Sequence, residues 1–261
     1  MSNGIKCSVS DGVQSLTFDR PEKKNAITSA MYRALAEALG SADDDPEVCV
    51  NLFLGNEAGF TAGNDLGDFL ATAQSGKFDE NALAFLRALT ATEKPMIAAV
   101  DGPAIGIGTT LLLHCDLVFA TPQATFRTPF IDLGLVPEAA SSLLVPARIG
   151  HQRAFELLCM GAPMDAEGAL AAGIINAIVP SSELEASARQ AAQALAQKPQ
   201  AALLAARRLM RSDRAQLDAR IDEEIDLFKT CLRSAEAREA FAAFAEKRPP
   251  DFARARKQAD S

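Results

Sequence analysis

Along the chain, apolar residues first alternate with polar ones, then gather into short runs, then settle into helical spacing. Ile5, Cys7 and Val9 alternate, Asp11-Gly12 offers a two-residue turn, and Leu16 and Phe18 follow, which predicts a β-hairpin. Thr28 is placed to cap a helix whose apolar side includes Met31, Leu35 and Leu39, and Asp43-Asp44-Asp45-Pro46 ends it. Val48–Leu54, Met96–Val100 and Leu117–Ala120 are apolar runs of strand length. Between them, Asn81–Ala91 reads as a helix through Leu83, Leu86 and Leu89, and Thr109–Cys115 as a buried helix. This alternation predicts an α/β core. From about Ser182 the pattern turns helical: Leu184, Ala188, Ala191 and Leu195 recur, and Pro199–Arg211 and Ala219–Arg233 fit further helices. The expected division is a core over residues 1–197 and a helical part over 198–261.

Bulk properties remove several function classes. At 261 residues and 48% hydrophobic, the chain has an ordinary globular composition. A net charge of −8 argues against nucleic acid, yet allows local lysines to hold the phosphates of a small anion. Cys7, Cys49, Cys115, Cys159 and Cys231 are scattered, without a CxxC pair, so free thiols in a reducing compartment are expected. No apolar run reaches membrane-spanning length, no signal segment or peroxisomal address is evident, and a cytoplasmic protein is expected. His114 and His151 lack a ligand cluster, so no metal is expected. His114 reads as a core histidine, and His151 as a helix-start residue after Gly150.

The candidate chemistry lies in Phe60-Thr61-Ala62-Gly63-Asn64-Asp65-Leu66, Asp101-Gly102-Pro103-Ala104-Ile105-Gly106-Ile107-Gly108 and Leu133-Gly134-Leu135-Val136-Pro137-Glu138. The first two are glycine-bearing loops, each after a predicted strand, where the backbone can turn tightly and admit a ligand. Together they could aim main-chain N–H groups at one oxygen, with Glu138 beside it for proton transfer. Gly106 and Gly108 fit equally a close strand–helix contact, and Glu138 fits a plain helix start after Pro137. A dinucleotide fingerprint fails because Leu111 stands where its third glycine belongs.

These loops, with Phe18-Asp19-Arg20-Pro21, Asn25-Ala26, Ala124-Thr125-Phe126-Arg127-Thr128-Pro129, Gly173-Ile174-Ile175 and Phe244-Ala245-Glu246-Lys247-Arg248-Pro249, resemble the crotonase family, the enoyl-CoA hydratases and isomerases. The resemblance covers nearly the whole chain and implies a spiral of strand–strand–helix units with a helical, trimer-forming C-terminal part, as a homotrimer or dimer of trimers. It implies an acyl-CoA thioester substrate with no separate cofactor. It places the oxyanion N–H groups on Asn64 and Ile107, adenine contacts around Ala62, Asp65 and Leu66, and phosphate contacts at Lys23 or Lys24. Phe244 and Lys247 match a Phe–Lys pair that often reaches the coenzyme A of a neighbouring subunit. The resemblance also implies that Phe130 and Leu135 belong to the acyl pocket.

Where hydratases of that family carry two glutamates, this chain has Thr110 and Phe130. Glu138 instead matches the catalytic carboxylate of the peroxisomal-type 3,2-enoyl-CoA isomerase branch, which the chain resembles most. The resemblance therefore implies an isomerase using one carboxylate. The alternatives are an enoyl-CoA hydratase that recruits a partner such as Asp132, and an acyl-CoA binder without turnover. Arg207, Arg208 and Arg211 form a basic helical cluster that fits either a phosphate contact or a plain surface face.

Overall fold

The computed structural model describes residues 4–65, 67–69 and 78–259. The N-terminal alternation folds as β1 (Ile5–Ser10) and β2 (Val13–Phe18), an antiparallel pair with Ser10 opposite Val13. Asp11 and Gly12 both take positive φ, 53° and 77°, as a hairpin turn matched to strand twist requires. β3 (Val50–Leu54), β4 (Met96–Val100), β6 (Leu117–Ala120) and β9 (Ala177–Ile178) join in parallel, giving the order β1-β2-β3-β4-β6-β9. A smaller sheet, ordered β5-β7-β8, contains β5 (Pro103–Ile105), β7 (Thr125–Arg127) and β8 (Met164–Asp165).

The chain passes from one sheet to the other and then into a helix: β4 to β5 to a helical segment, then β6 to β7 to the helices beyond. In the turn that starts at β3, the small-sheet strand is reduced to a bridge, Thr61 beside Ala104. This is the strand–strand–helix repeat that the family resemblance implies.

Alternation along the buried strands sorts their side chains onto two faces. Phe53, Met96, Ala98 and Val100 face the main core, while Val50, Leu52, Leu54, Ile97 and Ala99 face the helix Ser181–Ala196. That helix presents Leu184, Ala188 and Ala192, with Ala191 and Leu195 at the margin of the contact. The expected helix Thr109–Cys115 is divided: an α-turn, Ile107–Thr110, runs into a 3-10 turn, Leu111–His114, all of it buried. The expected helix at Ala219 begins earlier, at Arg214, because the Asp213 carboxylate accepts the Ala215 N–H at 2.8 Å as a cap. No helix among the described residues is long and apolar enough to cross a membrane.

The arginine cluster proves to be a clamp more than a free surface. Arg207, on the helix Gln200–Met210, is only 4% exposed. Its Nε donates to both Asp116 oxygens (3.0 and 2.8 Å), and its Nη1 donates to the Thr92 and Glu93 carbonyls (2.7 and 2.8 Å). Arg211 adds bonds to the Thr92 and Leu89 carbonyls at 2.9 and 3.1 Å. The helix is thereby fastened to the end of Glu80–Ala91 and to the start of β6. Asp116 is partly exposed and can be rehydrated, so Arg207→Ala is expected to cost about 1–3 kcal/mol, chiefly through the carbonyls that lose their donor. Urea unfolding should show a lowered midpoint at constant slope; an unchanged midpoint would remove the clamp.

Candidate active site

The parallel bridge between Thr61 and Ala104 brings the two glycine loops side by side. The Thr61 N–H donates to the Pro103 carbonyl at 3.0 Å, and the Ile105 N–H donates to the Thr61 carbonyl at 3.1 Å. Asn64 and Ile107 each lie three residues beyond this matched pair. Two glycines make the approach possible. A Cβ on Gly63 would sit 2.6 Å from the Ile105 carbonyl oxygen, and one on Gly108 would sit 2.5 Å from Thr61 Cγ2. The packing role of Gly108 and the oxyanion role of the loops are therefore compatible: close packing is what sets the loops together.

The peptides around Asn64 are tied, while its own N–H is left over. Ile27 N–H donates to the Gly63 carbonyl at 2.7 Å and Asp65 N–H to the Ile27 carbonyl at 2.9 Å. Neither the Asn64 nor the Ile107 N–H donates to an acceptor among the described residues. Ile107 opens its helical turn behind Gly106, so its N–H is one of the donors a helix start leaves free. Two unspent donors on adjacent loops can receive an anionic oxygen.

Glu138 is 6% exposed, and its Oε1 accepts the Thr110 hydroxyl at 2.6 Å. Thr110 stands where a hydratase glutamate was expected by resemblance, and here it holds the remaining carboxylate. Burial pushes the Glu138 carboxyl up to about 8; the Thr110 bond opposes this and the nearby Glu224 charge adds to it. Glu138 shares a cavity of about 40 Å³ with Asn64, Tyr32 and the half-buried Asp79, under Leu86 and Phe228.

The plain helix-start reading of Glu138 is corrected. The helix begins at Ser141, after Ala139 and Ala140, which take φ of 60° and 55°. Left-handed alanines cost roughly 1–2 kcal/mol each, so other groups must hold them. His114 donates its Nε2–H to the Ala139 carbonyl at 2.8 Å; burial, reinforced by neighbouring arginines, lowers its pKa to about 4 and keeps the ring neutral. Glu224, from the helix Arg214–Leu232, accepts the Ala140 N–H at 2.7 Å and the Ser142 N–H at 3.0 Å. It supplies the cap that Ala140 cannot, and burial raises its own pKa.

Outside this cavity lies a groove of about 780 Å³. Lys23, Ala62, Asp65, Phe130, Leu135 and Phe244 all line it, as do Asn64 and Gly106. Phe244 is 57% exposed and borders this chain's groove. Lys24 and Lys247 are exposed and stand outside the lining; both have positive φ, and the Lys24 carbonyl accepts the Ala62 N–H at 3.0 Å. Asp65 braces the loop through Arg20 at 2.6 Å, with its Oδ1 accepting the Gly67 N–H at 2.9 Å. Leu66 lies outside the described residues. Asp132 is 51% exposed and paired with Arg127 in the outer groove, away from the cavity that holds Glu138. His151 opens the helix His151–Leu158, as expected.

Tyr32 and Glu224 escaped the sequence reading. Tyr32 lies on the apolar face of the helix Ser29–Asp44 and passes for core, although it is the chain's one tyrosine. Glu224 sits among acidic neighbours, and nothing local marks it for burial.

Residues 8–255 match the family model described as enoyl-CoA hydratase/isomerase. The chain is 34% identical over 256 residues to rat (Rattus norvegicus) enoyl-CoA delta isomerase 2, covering 95% of this chain and 65% of that protein. It thus spans slightly less than two thirds of that longer relative. It is 32% identical to the 2,3-dehydroadipyl-CoA hydratase of Escherichia coli, over 91% of this chain and 93% of that one. Among solved structures, an enoyl-CoA hydratase/isomerase from Pseudoalteromonas atlantica superposes with a TM-score of 0.90 at 39% identity, covering 95% of this chain and 99% of the other.

Proposed function

This chain belongs to the enoyl-CoA hydratase/isomerase family, and within it we propose a 3,2-enoyl-CoA isomerase that works with one carboxylate. The reading rests on Glu138: among the described residues lining the inner cavity it is the one buried carboxylate, and it shares that cavity with Asn64. In this reading the thioester oxygen lies between the Asn64 and Ile107 N–H groups. Glu138 removes a proton from carbon 2 of the 3-enoyl thioester, and the electron pair spreads into a dienolate whose charge the two donors hold. The same carboxyl then returns the proton to carbon 4, leaving the 2-enoyl thioester and a regenerated carboxylate. Loss of one preorganised donor typically costs about a hundredfold to a thousandfold in such chemistry.

In this reading the groove takes the coenzyme A moiety, with Lys23 toward the phosphates and the backbone around Ala62 and Asp65 toward adenine. Phe130 and Leu135 provide apolar wall. Hydration is the second reading, because relatives of similar identity carry hydratase names. It lacks a second buried acid among the described residues lining the inner cavity: Thr110 and Phe130 occupy the matching positions, and Asp132 is exposed on Arg127. The test is conversion of a 3-enoyl-CoA by the purified chain, followed by the absorbance of the conjugated product. Absence of turnover across short, medium and long acyl chains would sink the isomerase.

The Thr110 bond gives a finer expectation. It favours the charged form of Glu138, and a hydrogen bond to a charge is worth about 1.5 kcal/mol, close to one pKa unit. Thr110→Val should therefore move the rising limb of the isomerisation pH–rate profile roughly one unit toward alkali. A limb that stays in place would show that Thr110 does not tune the base.

A further inference from the structure

Asn64 contributes its N–H to the oxyanion site, but the flanking backbone bonds do not account for its side chain. Its Oδ1 accepts the hydroxyl of Tyr32, which also lines the inner cavity. Tyr32 is a firm anchor. It is 5% exposed, its ring packs on Phe85 with centroids 5.7 Å apart, and its helix is capped by Thr28, which accepts the Met31 N–H. Gly63, immediately before Asn64, has φ of +83°, and the loop there is constrained by single contacts instead of a continuous strand. The Gly63 carbonyl is fixed by the Ile27 N–H at 2.7 Å, and a small rotation about that bond still misaims the Asn64 N–H at the other end of the same peptide.

We infer that Tyr32 is a positioning residue of the oxyanion loop, holding the Asn64 side chain so that the Asn64 main-chain N–H keeps its aim. The hydroxyl acts through Asn64 and has no chemical step of its own. Its protonated state fits this role, since burial first, then the Glu138 and Asp79 carboxylates, raise its pKa. The inference rests on the oxyanion part of the proposed function and does not depend on which family reaction follows.

A double-mutant cycle in binding tests it without requiring turnover. The full chain, Tyr32→Phe, Asn64→Ala and the double variant would each be titrated with acetoacetyl-CoA, which can bind as an enolate, and with saturated butyryl-CoA. Asn64→Ala keeps the main-chain N–H and removes the side-chain tether. Each single variant should lose about tenfold in its preference for acetoacetyl-CoA over butyryl-CoA, and the double variant should lose no more than either, because both cut one connection. Losses that multiply in the double variant would overturn the inference, as would an unchanged preference in Tyr32→Phe. A wild-type chain with no preference for the enolate-forming ligand would overturn it together with the oxyanion site. Retained preference without isomerisation would instead remove the isomerase and leave Tyr32's role standing. In turnover, the same role predicts a fall in kcat for Tyr32→Phe with KM within about twofold, since the interaction sharpens in the transition state.

Discussion

Glu138→Gln should lower isomerisation by roughly a thousandfold, in kcat and with little change in KM, because one group performs both proton transfers. The amide can still accept the Thr110 hydroxyl, so geometry is retained while basicity is lost. Stability should move differently from activity. Burial raises the carboxyl from its ordinary 4.5 to about 8, so the folded chain keeps a proton that the unfolded chain has released. The contribution of this group to stability is fully present below about 4.5 and falls away as pH climbs toward about 8. Each pKa unit of such a difference corresponds to about 1.36 kcal/mol. Glutamine does not titrate, so the variant should lose less stability than the parent as pH rises through that window. Denaturation curves at several pH values check this; parallel stability profiles would mean that Glu138 is not held neutral by burial. A catalytic base kept in a dry cavity thus weakens the fold that holds it, a cost that Glu224 and His114 offset by fixing the backbone next to it.

Gly63→Ala should damage both activity and stability although it adds a single methyl group. Its Cβ would lie 2.6 Å from the Ile105 carbonyl oxygen and 3.2 Å from the carbonyl carbon, both backbone atoms in the neighbouring loop. Its φ of +83° adds strain for any L side chain. The loops must part, which misaligns the Asn64 donor beside Gly63 and the Ile107 donor beyond Ile105. An activity loss of at least about a hundredfold is expected, the cost of one oxyanion donor, with destabilisation of roughly 2 kcal/mol or more. Gly40→Ala makes the contrast. Gly40 lies inside the helix Ser29–Asp44 with nothing within 4 Å of an added Cβ, so alanine should stabilise by about 0.5–1 kcal/mol and spare activity. Equal effects at the two glycines would show that loop contact does not govern the site.

The readable parts of the sequence were those whose physics is local. Strand Met96–Val100, the Asp11-Gly12 hairpin and the Thr28 cap each depend on a few consecutive residues, and each appears as expected. The spiral topology came from family resemblance, since alternation specifies a strand without specifying which sheet it joins. Lys23, Ala62 and Phe130 were named by resemblance, and all three line the groove. The supports of Glu138, and the arginine clamp, were not legible. His114 approaches from 25 residues away, Glu224 reaches Ala140 across 84 and Arg207 reaches Asp116 across 91, and a charged side chain carries no local sign that its partner is distant. Tyr32 was hidden for the opposite reason, because its aromatic ring satisfies the helix's apolar pattern while the hydroxyl does the positioning.

The central claim is that one buried carboxylate makes this chain an isomerase. The most direct test gives the purified protein a 3-enoyl-CoA and, separately, a 2-enoyl-CoA of the same chain length, following isomerisation by the absorbance of the conjugated thioester and hydration by the mass of 3-hydroxyacyl-CoA. The account predicts rapid formation of 2-enoyl-CoA from the first substrate, with water addition to the second slower by about a hundredfold or more, the contribution of the missing second acid–base group. Formation of 3-hydroxyacyl-CoA from the 2-enoyl thioester as fast as isomerisation would contradict it.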